Sequence, residues 1–385
     1  MRIAIVYDCL FPYTLGGAER WLRLLAEDLA RDHEVTYVTR RQWPGRHSPD
    51  IPGVECVAVS PAGPLYTPGG RRRIGPPLRF GAGVLWHFVR RRDAYDLVHC
   101  VSFPYFSLLA VRIALAGSRR PRVFCEWLEY WTAGYWRGYL GPLGGPIGRA
   151  MQRLCLALTP VALVFSRLNA ERLRSSGHRG EIHLLAGLFS GSPSSPAQAS
   201  ATPRVLFVGR HIPDKRAAIV PDVIAIARRT LPDLRALIVG DGPDRARVLA
   251  RAAELGLDGV VEVPGALGAD ELQEALRGAA CLLVPSVREG HGMVVAEASA
   301  AGVPVVVCEH PDNAAVELVE EGVNGAVAAD PSPAALADAL LRLLEAGVEL
   351  RLSTAAWFER NAERLSAAAS IGRLRELYAG RGRPG

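Results

Sequence analysis

The segment "VLFVGRHIPDKRAAIV", residues 205–220, places Arg210 and Lys215 in one polar loop directly behind an apolar, β-branched run. Lys215 is the only lysine among 45 basic residues, the other 44 being arginines. Two cations five residues apart in a loop after a strand can converge on a diphosphate. Arginine suits bidentate contact, and lysine supplies a compact point charge that follows phosphate oxygens. Gly209, just ahead of them, is read as the residue that lets the backbone turn sharply. A solvated charged loop is the plain alternative. The isolation of Lys215 weighs against it, because a lone ammonium in an arginine-only chain is held by a specific need.

A second constellation lies in "SVREGHGMVVAEASAAGVPVVV". The turn "EGHG" should lead into a helix from about Met293, ended by Gly302 and Pro304. Glu289 then stands in the loop at a strand end, and the backbone amides of Gly292, Met293 and Val294 form a helix N-terminus suited to an anion. Glu297 sits one turn further in, where its carboxylate can accept hydrogen bonds from two ribose hydroxyls. A surface helix with two solvated carboxylates would show the same spacing, but the apolar, glycine-bracketed frame favours a site. In the first half, Gly16 and Gly17 of "PYTLGGAERW" follow a strand and precede a helix, where glycine permits close backbone approach to a phosphate or sugar. A tight turn explains that pair equally well.

The elements that must position these residues are alternating strands and helices. Apolar β-branched runs ("RIAIVY", "EVTYVT", "LVHCV", "RVFCEW", then "RVLFVG", "RALIVG", "VVEVPG", "ACLLVPS", "PVVVCE") alternate with helical stretches such as "GAERWLRLLAEDLARD" and "PSPAALADALLRLLEAG". That order predicts an α/β fold with parallel sheets covered by helices. At 385 residues the chain exceeds what one core holds, and "SGSPSSPAQASATP", residues 190–203, has linker composition. The expected layout is a first Rossmann-like domain over 1–189, a linker over 190–203 and a second Rossmann-like domain over 204–360. A C-terminal helix and tail over 361–385 follow, the helix returning to the first domain. Two such domains face a central cleft, with ligands outside the carboxyl ends of the strands.

Composition narrows the partners. Residues 1–190 carry 25 basic against 14 acidic residues, and the remainder 20 against 25, so the two halves face different partners. The basic excess concentrates in "GGRRRIGPPLRFGAGVLWHFVRRRD", residues 69–93, with seven arginines among Leu, Trp and Phe. Two readings stay open: a peripheral membrane face, each basic residue contributing on the order of 1 kcal/mol near an anionic leaflet, or a solvated arginine-rich helix. No nucleic-acid-binding motif accompanies the cluster. The apolar stretch "LCLALTPVALVF" is too short and broken to span a bilayer. The start "MRIAIVYD" reads as a strand rather than a signal peptide. Seven scattered cysteines without a CxxC pair read as buried reduced thiols. The expectation is a cytoplasmic protein, peripheral on the inner membrane face if the basic segment docks there.

"GRHIPDK", "IVGDGPDRARV", "VPGALGADELQEAL" and "REGHGMVVAEASAAGVPVVV" together resemble a retaining glycosyltransferase of the GT-B fold, in the large family four group (glycosyl transferases group 1). The similarity runs over nearly the whole chain and is most specific in residues 204–330. It implies that Arg210 and Lys215, behind Gly209, hold the diphosphate of an NDP-sugar donor. It further implies that Glu289 touches the transferred sugar. The backbone of His291, Gly292, Met293 and Val294 would hold sugar hydroxyls and phosphate, Glu297 the ribose, and the backbone at Pro264 and Gly265 the base. His291 stands where relatives usually carry Phe. Relatives often place a histidine near the sugar, but here "DLVHCVSFP" offers His99 with Val101 at the usual second position. In "CEWLEYW" Leu128 replaces the histidine and Glu129 remains.

The implied reaction is hexose transfer from an NDP-sugar to an acceptor hydroxyl, with retention. The acceptor would be a small molecule, a saccharide or a lipid-linked species. The cation pair and helix amides answer the leaving diphosphate, so neither a metal ion nor a further cofactor is expected. Two other readings remain: a non-catalytic NDP-sugar-binding subunit and a GT-B-fold sugar-nucleotide epimerase.

Overall fold

The computed structural model describes residues 1–45, 47–65, 67, 73–118, 121–191 and 202–380. The centre of the expected linker, 192–201, and residues 69–72 of the basic segment lie outside the described residues. The chain divides into two compact units. The first gathers the described residues up to Ala186 together with the C-terminal helix from Ala367, and the second holds those from Gly187 to Ser366.

Among the described residues, the first unit has seven strands: β1 (Arg2–Val6), β2 (Glu34–Arg40), β3 (Val54–Ser60), β4 (Leu97–Val101), β5 (Arg122–Glu126), β6 (Val161–Val164) and β7 (Glu181–Leu184). They form one sheet in the order β3-β2-β1-β4-β5-β6-β7, every pairing parallel. The second unit has six: β8 (Arg204–Val208), β9 (Arg235–Val239), β10 (Val261–Gly265), β11 (Cys281–Val284), β12 (Val305–Cys308) and β13 (Gly325–Ala328). Their order is β10-β9-β8-β11-β12-β13, again all parallel. Each sheet reverses its winding once, between β1 and β4 and between β8 and β11.

Central strands such as β4 and β11 are buried along their whole length, as a parallel sheet covered on both faces requires. The helices supply the cover. Helix Gly17–Leu29 buries Trp21, Leu22, Leu25 and Leu29, one stripe at helical spacing. Each such leucine contributes about 1.5–3 kcal/mol by leaving water. In the second unit, helices Val220–Ala227 and Pro333–Glu345 close one face over Val205, Phe207, Leu283 and Val306. Helices Met293–Ala300 and Gly347–Leu365 close the other over Leu206, Leu282 and Val305.

All nine apolar runs read as strands are strands. Four more, β3, β6, β7 and β13, were not singled out: three have only four residues, and β3 lies at the sheet edge. "LCLALTPVALVF" splits between the end of helix Ala133–Ala157 and β6. Helix Gly347–Leu365 belongs to the second unit and runs past residue 360, so the chain passes back to the first unit at Ala367 rather than 361. All seven cysteines are buried and unpaired. Burial pushes thiols such as Cys281 up to about 12, far above the range in which a thiolate reacts.

Candidate active site

The winding of the second sheet reverses between β8 and β11, and loops leaving the carboxyl ends of such strands open a crevice at that point. The loop after β8 carries Arg210 and Lys215, and the loop after β11 carries Glu289, so the fold erases a separation of 74 residues. Lys215 Nζ donates to both carboxylate oxygens of Glu289, at 2.6 and 2.6 Å. The Lys215 side chain is 25% exposed and that of Glu289 9%. The residues on either side of the lysine repeat the link. Arg288 Nη2 donates to Asp214 Oδ2 at 2.7 Å, and the Val287 amide donates to the Asp214 carbonyl. Arg216 donates through Nη1 to the carbonyls of Pro285 and Pro331. Arg216 has φ of 55°, a left-handed conformation unusual for a non-glycine residue, and these anchors hold it there.

The Glu289 main chain is fixed as well. It forms a bridge with Asn313, its amide donating to Asp312 and its carbonyl accepting from Ala314. The buried Asn313 side chain spans from the Cys308 carbonyl to the Ala315 amide and shapes that loop. Gly292 caps helix Met293–Ala300 with φ of 94°, and a Cβ there would lie 2.7 Å from Ala315 Cβ, so glycine is required on both counts. The helix begins and ends where its sequence signals place it. Met293 and Val294 open its first turn, whose amides have no partner within the helix. Glu297 is half-buried one turn on, and His291 is buried beside Gly292. Arg210 is exposed in the β8 loop.

One glycine reading needs revision. Gly209 has no positive φ, and a Cβ there would meet only the Phe207 ring at ordinary contact distance. The glycines that the turn requires are Gly240 and Gly242 in "IVGDGPDR", with φ of 130° and 150°. A Cβ on Gly240 would overlap the Gly209 carbonyl oxygen, and one on Gly242 would press on the His211 backbone. Gly265, at the end of β10 after Pro264, has φ of 98°, and its carbonyl accepts from the Gly240 amide at 2.8 Å. Gly240→Ala is therefore expected to destabilise the protein by at least about 2–3 kcal/mol, backbone strain and the overlap with the Gly209 carbonyl acting together. Gly259→Ala, at φ of 72° with nothing within 4 Å of a Cβ, should lose only about 1 kcal/mol. Urea denaturation of both variants checks the contrast.

His211 drew no attention in the sequence. It is fully buried between the β8 and β9 loops, and both its ring nitrogens are without a hydrogen-bond partner. Burial holds its pKa below the usual histidine range, so the ring is neutral. Its placement directly after Arg210 was the available signal.

In the first unit, Gly16 precedes helix Gly17–Leu29 in an extended conformation, and a Cβ there would run into the Glu19 carboxylate. His99 lies fully buried in the sheet. Its Nε2 meets Glu126 Oε2 at 2.9 Å, and its Nδ1 meets the Tyr378 hydroxyl at 2.6 Å. Glu129, half-buried in the loop after β5, accepts from Trp131 Nε1 at 2.9 Å. Around it the sequence reading missed an aromatic cluster. Trp131, Tyr135 and Tyr139 recur every fourth residue with ring centroids 4.7 to 5.9 Å apart. Buried Gln152 braces it, accepting from Trp136 Nε1, the Tyr105 hydroxyl and the Trp131 amide. The repeated aromatic residues of "CEWLEYWTAGYW" were the signal.

Among the described residues no three His, Cys, Asp or Glu side chains group as metal ligands do, and no helix is long and apolar enough to cross a membrane.

The family described as "Glycosyl transferases group 1" matches residues 202–346, and "Glycosyl transferase 4-like domain" matches residues 16–187. D-inositol 3-phosphate glycosyltransferase of Mycolicibacterium vanbaalenii is 35% identical over 161 residues, 37% of this chain and 33% of that relative. The enzyme of the same name from Acidothermus cellulolyticus is 33% identical over 157 residues, covering 38% and 35%. The matched segment thus spans about a third of the length of these curated relatives. Among solved structures, sucrose-phosphate synthase from Thermosynechococcus elongatus superposes with a TM-score of 0.80 at 20% identity, over 98% of both chains. HepE of Anabaena, solved in complex with UDP and glucose, gives 0.72 at 18% identity over 99% of this chain and 100% of that one. Two parallel sheets each wound about one reversal point, the family patterns matched in order along both units, and the agreement in fold lead to one assignment: the chain belongs to the group 1 glycosyltransferases, with the GT-B fold.

Proposed function

We propose that the protein moves a hexose from an NDP-sugar to an acceptor hydroxyl with retention at the anomeric carbon and without a metal ion. The observation that carries this reading is the meeting of Lys215 and Glu289 at the reversal point of the second sheet, beside the start of helix Met293–Ala300. A diphosphate placed there meets Arg210, Lys215 and the amides of Gly292, Met293 and Val294. That is preorganised positive charge where the leaving group develops its negative charge. Glu289 accepts hydrogen bonds from the sugar hydroxyls, Glu297 takes the ribose, and the strand end at Pro264 and Gly265 receives the base.

Retention follows if the acceptor attacks from the face the diphosphate leaves. The anomeric carbon–oxygen bond to phosphate breaks, the bond to the acceptor oxygen forms, and the acceptor proton passes to a phosphate oxygen. No protein base is needed on that route. His99 is not required in it, since both its ring nitrogens are engaged in the core.

HepE, solved with UDP and glucose, supports a nucleotide-sugar donor, and the inositol-phosphate relatives support a hydroxyl-rich acceptor. Lipid-linked acceptors fit the outer face of helix Gly75–Arg90. It exposes Leu78, Trp86 and Val89 beside Arg79 and Arg90, with the Arg90 guanidinium 3.8 Å over the Trp86 ring. That combination suits a cytoplasmic, peripheral membrane contact.

Calorimetric titration with UDP, GDP, ADP and dTDP in EDTA tests the donor reading. One nucleotide is expected to bind without metal, and failure of all four would remove the reading. For the membrane face, sedimentation with anionic but not neutral vesicles at low salt is expected. Equal behaviour with both would leave the arginines as solvated surface.

A further inference from the structure

Lys215 directs two of its three donors at Glu289 in this structure, and that bears on which molecules the site accepts. Both hydrogen bonds to the Glu289 carboxylate come from Lys215, at equal length, and the carboxylate is almost out of water. Its main chain is pinned by the Asn313 bridge, so the side chain cannot follow the lysine far. The Asp214–Arg288 pair on the neighbouring residues holds the two loops in register. A diphosphate that draws Lys215 to itself therefore leaves a nearly buried carboxylate without its cation. That is the unfavourable half of any broken buried ion pair. An intact donor offsets the loss, because the hydroxyls of its sugar donate to the same two oxygens. A sugar-free nucleoside diphosphate offers no such replacement.

We propose that Glu289 competes with the donor diphosphate for Lys215, so that the site favours intact NDP-sugar over the spent nucleoside diphosphate. Glu289 is then a specificity-determining residue for donor against product, and the same competition speeds product release. This rests on the glycosyltransferase reading above.

The test measures binding of UDP, GDP, ADP and dTDP, and of the matching glucose conjugates, to the wild type and to Glu289→Gln. For the nucleotide that binds the wild type, Glu289→Gln is expected to tighten nucleoside diphosphate binding at least about fivefold, equivalent to roughly 1 kcal/mol. Affinity for the conjugate should stay level or fall. Glu289→Asp, whose carboxylate is one methylene short of Lys215, should move the same way by a smaller factor, and it decides the matter if the glutamine variant does not fold. Adding Lys215→Ala to Glu289→Gln should abolish the tightening. Weaker or unchanged nucleoside diphosphate binding in both Glu289 variants, or equal tightening of diphosphate and conjugate, overturns the competition while leaving the donor reading in place. No binding of any nucleotide to the wild type overturns both.

Discussion

Lys215→Ala is expected to weaken NDP-sugar binding or turnover at least tenfold. The diphosphate forfeits a charge-assisted contact worth about 1.5–3 kcal/mol, and each 1.4 kcal/mol is about a factor of ten in affinity. Glu289, 9% exposed, loses its cation in the free protein, a cost to stability rather than to donor affinity. Lys215→Arg is expected not to restore the wild-type value, and here the lone lysine finds its reason. An ammonium equidistant from two carboxylate oxygens can pivot from them to phosphate oxygens as a point charge. A guanidinium in its place would grip the carboxylate as a planar fork and release it less readily. Calorimetry with the bound nucleotide and its sugar conjugate reads both variants. Near wild-type values for Lys215→Ala would remove the diphosphate clamp, and full recovery in Lys215→Arg would show that charge alone suffices.

The second unit's candidate site stood out because its residue types are chemically unusual where they stand. A lone lysine, a glycine-bracketed turn and two glutamates, one ahead of a helix and one inside it, each announce themselves, and parallel winding brings Lys215 and Glu289 to neighbouring strand ends. What the sequence concealed was pairing. Nothing in spacing says that Lys215 meets Glu289 or that Asp214 meets Arg288, because both contacts depend on which strands lie side by side. The turn glycines were misassigned for a similar reason. Gly209 sits in the more conspicuous motif, yet the crowding that demands glycine falls on Gly240, against a carbonyl of the adjacent strand's loop. In the first unit the difficulty was the opposite. His99 left two readings open, a core histidine or one near the sugar, and the partners that fix it in the core, Glu126 and Tyr378, come from 27 and 279 residues away.

His99→Leu is expected to destabilise the first unit by about 1–3 kcal/mol, the cost of leaving a buried acceptor without its partner. Glu126 has no exposure, Trp21 Nε1 donates to its Oε2 at 2.9 Å beside His99, and its Oε1 has no hydrogen-bond partner. Without the imidazole the carboxylate would keep only the indole. Tyr378→Phe should cost about 1 kcal/mol, the usual worth of one hydrogen bond. The last helix stays tied by Arg122 to the Leu377 and Tyr378 carbonyls and by Arg375 to Asp28 and Asp32. Burial already holds the Tyr378 phenol well above its usual pKa, so it serves as a neutral partner throughout the working range. Replacing both members, as His99→Leu with Glu126→Met, should recover much of the loss, since an apolar pair leaves no buried polar group without its partner. Urea denaturation measures the stabilities, and calorimetry follows the nucleotide, whose affinity is expected not to change, since the proposed diphosphate, ribose and base contacts lie in the second unit. A His99→Leu protein as stable as the wild type but with turnover sharply reduced would return this histidine to the catalytic role and take the structural one away.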